Sequence, residues 1–80
     1  MDESVTADYI RHRLKVAGGN ADEIFAPETF PEIHRLTLGI PRLINTLCDT
    51  ALTACMVEKR NRVDLATIEA KAQNKAALRQ

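Results

Sequence analysis

The chain has 80 residues, 45% of them hydrophobic, and eleven basic residues balance eleven acidic ones. That length allows a single domain, the apolar share is too high for a disordered segment, and the lack of a basic excess argues against a dedicated nucleic-acid binder. Its aromatic residues are Tyr9, Phe25 and Phe30, with no Trp, so the core must come from Leu, Ile, Val and Ala, which favours helices over a β-sandwich.

The first predicted helix covers residues 3–16. Asp2 is its candidate N-cap, with Ser4 and Thr6 as later alternatives. Val5, Tyr9, Ile10, Leu14 and Ala17 share one face at helical spacing. The opening stretch MDESVTADY is acidic and polar, with the character of neither a signal nor a transit peptide. Arg11, His12, Arg13 and Lys15 gather towards the C-terminal end, where the helix dipole favours cations; a solvated helix end is the plain reading of that cluster. Ala17-Gly18-Gly19-Asn20 should stop the helix, with a glycine in the left-handed region.

Residues 20–26 read as a loop in which Ile24 and Phe25 are too apolar to stay in water and should dock on the core. A second helix is predicted over 27–38, opened by Pro27 and stopped by Gly39, with Phe30, Ile33 and Leu36 inward. Pro31 would then lie one turn in and remove a backbone hydrogen bond. The third helix, 41–57, carries the strongest pattern. Leu43, Ile44, Leu47, Cys48, Ala51, Leu52 and Cys55 form a wide apolar stripe that predicts the central helix of a bundle, with those side chains buried. Residues 58–62 make a polar turn. A last helix is predicted over 65–78, capped by Asp64, with Leu65, Ile68 and Ala72 inward. Cys48 and Cys55, seven residues apart on one helix, would be about 10 Å apart along its axis. A disulfide needs Cα atoms roughly 4.4–6.8 Å apart, so both are expected as buried thiols. No apolar run approaches the length of a membrane span.

No Ser/His/Asp or Cys/His arrangement is recognisable. Gly18-Gly19 runs into Asn20 and an acidic loop, not into the G-x-x-x-x-G-K-[ST] of a phosphate-binding loop. His12 and His34 fall on different helices without a Cys or acidic cluster beside them, so no metal site is expected. Gly39-Ile40-Pro41-Arg42 is more informative. Glycine permits a sharp turn, proline fixes the first turn of the next helix, and Arg42 leaves that turn at the positive end of the dipole. A guanidinium there is unfavourable unless an anion lies opposite, and a helix N-terminus with an arginine suits phosphate oxygens. An ordinary surface arginine is the competing reading.

In order along the chain, Asp8-Tyr9-Ile10-Arg11-His12-Arg13-Leu14, Val16-Ala17-Gly18-Gly19, Gly39-Ile40-Pro41-Arg42-Leu43-Ile44-Asn45, Leu47-Cys48-Asp49 and Arg62-Val63-Asp64 resemble the C-terminal lid of bacterial AAA+ ATPases. The resemblance is strongest to the general secretion pathway protein A type and extends to transposition-associated ATPases. The Gly-x-Pro-Arg element also occurs in the lid of the Holliday-junction branch-migration motor. The resemblance implies an all-α, four-helix lid occupying residues 1–80 as one domain of a larger ATPase. It makes Arg42 the sensor 2 arginine that reaches the terminal phosphates and sets Tyr9, Ile10, Ile40 and Pro41 near the adenine. ATP and Mg²⁺ would be cofactors of the parent protein, not held tightly by this chain, which would not be an enzyme alone. Its partners would be the N-terminal nucleotide-binding domain of the same parent and neighbouring ATPase subunits, in the cytoplasm or at the cytoplasmic face of the bacterial inner membrane, with no membrane insertion. Asn45 and Asp49 fit the pattern without an assigned role. Ala26, where a Ser or Thr cap is usual, and Pro31 depart from it. A different reading is a free-standing DNA-binding module with the third helix as recognition helix, and a third is a plain protein-interaction bundle.

Overall fold

The computed structural model describes residues 2–72, and these form five helices: α1 (Glu3–Val16), α2 (Ala21–Ile24), α3 (Thr29–Thr37), α4 (Pro41–Val57) and α5 (Leu65–Ala72). The all-α expectation holds, with one short helix more than the four expected. Residues 73–78, expected to extend the last helix, lie outside the described residues.

Local chemistry sets the helix ends. Asp2 caps α1, its carboxylate accepting from the Val5 N–H at 2.8 Å. At the other end the Gly19 N–H reaches back to the Leu14 carbonyl at 2.7 Å, and Gly18 supplies the left-handed turn at φ 90°, the expected glycine stop. Val5 and Ala17, expected inward, lie at the two ends of α1 and are exposed. The predicted loop contains the single-turn α2 because Asn20 caps it, accepting from the Asp22 N–H at 3.0 Å.

The second predicted helix starts two residues late. Pro27 and Glu28 form a turn, and the Ala26 carbonyl accepts from both the N–H and the hydroxyl of Thr29, at 2.9 and 2.6 Å. Pro31 is therefore the third residue of α3. Its missing N–H falls among the first-turn donors that have no intrahelical partner anyway, so no helical bond is lost. At the far end Leu38 takes the left-handed conformation ahead of Gly39, at φ 55° and 71°. The 41–57 helix matches its expected bounds. It ends as Lys59 turns left-handed, with the Arg60 N–H bonded to the Cys55 carbonyl at 2.9 Å.

The core gathers Ile10, Phe25, Phe30, Ile33, Ile44, Leu47, Cys48, Ala51, Val63 and Ile68. Leu43 and Leu52, on the edges of the α4 stripe, are half-buried, as is Leu36. The centre is shared: the short α3 packs against α1, α4 and α5, while α4 packs closely on α3 and α5. Two connecting segments pair below the helices. The Val63 N–H donates to Ile24 at 2.7 Å and the Ala26 N–H to Val63 at 2.9 Å, a lone parallel bridge between Phe25 and Val63. It satisfies backbone groups that would otherwise be buried without partners and lets both side chains be fully enclosed. Among the described residues no buried side-chain nitrogen or oxygen lacks a hydrogen-bond partner. No described helix is long and apolar enough to cross a membrane.

Candidate functional site

The α3–α4 junction is built from Leu38 to Arg42. The Ile40 N–H returns to the Thr37 carbonyl at 3.0 Å, and the Ile40 carbonyl accepts the first helical bond of α4 from the Ile44 N–H, also at 3.0 Å. Ile40 is extended at φ −80° and ψ 117°, Pro41 opens the helix, and no side chain caps it. Proline suits this position because its fixed φ is helical and it has no N–H to satisfy. Arg42 follows as the second helical residue and is exposed, with no acidic residue in the first turn of α4. Its charge and the positive end of the helix dipole therefore reinforce each other. Beside it, Leu38 is 74% and Ile40 41% exposed, and Pro41 is exposed as well.

The other residues of interest come from α1. Tyr9 is half-buried, and its hydroxyl donates to Asn45 Oδ1 at 2.9 Å. Asn45 lies three residues after Arg42, so Tyr9 meets α4 one turn from the arginine, on a neighbouring position of the helix surface. Tyr9 thus meets α4 within a turn of Arg42, and Ile40 and Pro41 directly precede Arg42 along the chain. Ile10 is different: at 2% exposure it belongs to the core, and the chain's own packing accounts for it.

One turn further on, Arg13 of α1 approaches Asp49 of α4 at 3.9 Å, with both side chains largely in water. Around this second pair lies a largely apolar cleft of about 170 Å³, lined by Arg13 and Asp49 themselves and by Ile10, Leu14, Ile44, Cys48 and Leu52 among others. Burial, with a smaller contribution from the Asp49 charge, pushes the Cys48 thiol up to about 12. Both cysteines are buried thiols outside any disulfide, as expected; Cys55 donates to the Arg62 carbonyl at 3.2 Å. His12 is exposed, and His34 Nδ1 bonds the buried Thr6 hydroxyl at 2.8 Å.

Asn45 and Asp49 had no role that sequence could assign. Their i, i+4 spacing on α4 mirrors that of Tyr9 and Arg13 on α1, the signal that could have paired them. That signal becomes legible once the Tyr9–Asn45 and Arg13–Asp49 contacts show where α1 and α4 meet.

No family model matches the chain, and no solved structure matches it. Among curated proteins it is similar to General secretion pathway protein A of Aeromonas hydrophila, at 46% identity over 55 residues, which is 69% of this chain and 10% of that protein. The chain thus spans about a tenth of the length of the curated relative it matches, and it carries a region related to one part of a general secretion pathway protein.

Proposed function

We propose that this chain is the C-terminal helical lid of an AAA+ ATPase serving a bacterial secretion or pilus-assembly system, and that Arg42 is its sensor 2 arginine. The observation that carries the reading is the position of Arg42: exposed, second in α4, with no acid in that first turn, in a chain related over 55 residues to a general secretion pathway protein. A fixed guanidinium added to a helix N-terminus makes a positive corner suited to phosphate oxygens. Ile40, Pro41 and the ring of Tyr9 supply the apolar surface for the base.

In this reading the nucleotide-binding domain holds Mg²⁺ and most of the phosphate charge, and the lid closes over the nucleotide. Arg42 engages the γ-phosphate while it is present. Hydrolysis removes that contact and lets the lid move against its partner domain, turning nucleotide state into motion. The isolated chain neither turns over ATP nor holds it tightly, because one arginine and part of a base wall leave the phosphates largely uncoordinated. The working place is cytoplasmic, with the adjacent domain and neighbouring subunits as partners.

The test pairs two measurements on Arg42→Ala and Arg42→Lys. In this chain the alanine variant should stay folded with little change in melting temperature, since Arg42 is an exposed side chain outside the core. In the full ATPase it should slow turnover by about two orders of magnitude or more, the usual cost of losing a charge-assisted contact to the transferred group. Lysine should rescue in part, keeping the charge but losing the planar fork. An unfolded alanine variant makes Arg42 structural. An unharmed fold together with an unchanged ATPase rate leaves it an ordinary surface arginine.

A further inference from the structure

The turn that carries Arg42 has little of the core to hold it. Ile40, Pro41 and Arg42 are exposed, and the first fully enclosed side chain of α4 is Ile44. No side chain caps the helix, and proline contributes no donor. The backbone bonds to Thr37 and from Ile44 fix the chain path there, but they do not fix how that end of α4 sits against α1. An apolar cleft separates the two helices along part of their length. Two polar contacts join the helices: the Tyr9 hydroxyl on Asn45 at 2.9 Å, just outside the residues that line the cleft, and, one turn later, Arg13 near Asp49 at 3.9 Å, both among those that line it. The first rung is short and half-buried, whereas the second is long and largely solvated, where screening leaves it little strength.

We propose that Tyr9 and Asn45 are a positioning pair that sets the direction in which the first turn of α4, and with it Arg42, faces its ligand. Asn45 sits one turn behind Arg42 on the same helix, so holding its amide against α1 fixes the rotation of that turn. The inference rests on the reading of Arg42 given above for its functional meaning, but the restraint itself belongs to the ligand-free chain.

The experiment is therefore made without nucleotide. Hydrogen exchange of the Ile44 amide reports opening of the first α4 turn, because that N–H is bonded to Ile40. The Ile68 amide, bonded to Asp64 at the start of α5, is the internal reference for any general loosening. Tyr9→Phe and Asn45→Ala should each lower Ile44 protection by roughly three- to tenfold, the weight of one neutral hydrogen bond. The double variant should be no less protected than the weaker single one, and Ile68 should not change. Asn45→Asp, which keeps the acceptor oxygen, should restore protection when Tyr9 is present and fail to do so with Tyr9→Phe. Unchanged Ile44 protection in Tyr9→Phe overturns the proposal, and so does an equal fall at Ile68, which would make the pair merely structural. Failure of the sensor 2 reading shows elsewhere, as an ATPase rate indifferent to Arg42→Ala, and leaves the exchange result standing.

Discussion

Cys48 lies on the inner side of α4 at the floor of the α1–α4 cleft, with its thiol pushed up to about 12 by burial first and by the neighbouring Asp49 charge second, while Arg13 opposes the shift. The thiolate is the reactive form. A group held that high is thiolate in on the order of one molecule in ten thousand at pH 8. Cys48 should therefore resist iodoacetamide in the folded chain and react once denaturant opens it. Labelling at the rate of an unfolded thiol, read by peptide mass, would refute the burial. The raised value also has a sign for stability. Because the folded state disfavours the thiolate, the Cys48 contribution is complete below the unfolded thiol value of about 8.5 and is lost as pH rises from there towards 12. At the same scale, Leu38 takes a left-handed conformation with its side chain 74% exposed. That costs roughly 1–2 kcal/mol in an L-residue, and nothing in the packing of Leu38 offsets it.

Helix ends divide the elements into those whose caps are written locally and those positioned by neighbours. Asp2, Asn20 and Asp64 are side-chain caps. Asp64 Oδ1 accepts from both the N–H and the hydroxyl of Thr67 at 2.9 Å, and Arg60 bonds both Asp64 and Thr67. The bonds from Thr67, backbone first, hold the Asp64 carboxyl below its usual range. Asp64→Ala should cost about 1 kcal/mol, the typical value of an N-cap. A depressed folded value means this contribution is present above the unfolded carboxyl value of about 3.9 and is lost as pH falls through the lower folded one. Urea melts of both proteins at near-neutral pH and in acid should show their difference shrinking in acid. A gap of constant size would mean that Asp64 stabilises α5 without its charge.

Across the whole molecule, stability depends on a small aliphatic core with one aromatic pair, Phe25 and Phe30, whose ring centroids lie 6.2 Å apart. The described ion pairs are exposed or partly so, and such pairs contribute little. Leu47 is fully enclosed at the middle of α4. Leu47→Ala should cost roughly 2–5 kcal/mol through lost burial and the cavity left behind. A domain with about 5 kcal/mol in total would then be close to unfolded at room temperature, whereas Leu47→Met should cost less than about 1.5 kcal/mol. Thermal melts of the two variants check this. A small loss for the alanine variant would mean that the helices can close over the gap.

The helical class, the bounds of α1 and α4, the caps at Asp2 and Asp64, and the arginine after Gly39-Ile40-Pro41 are all legible in the order of residues alone. Each of these depends on residues within a turn or two of one another: a capping carboxylate, a glycine at positive φ, an apolar stripe of helical period. Tertiary structure decided the rest. The late start of α3 follows from the Ala26 carbonyl being shared by the Thr29 donors while the Ala26 N–H is committed to Val63, a bond across 37 residues. The enclosure of Phe25 depends on that same bridge. For the candidate site, Arg42 could be read from its motif, but Asn45 could not, because its meaning lies in Tyr9, on a different helix. A hydrogen bond between helices has no periodicity along one chain; it exists once packing has set two faces side by side.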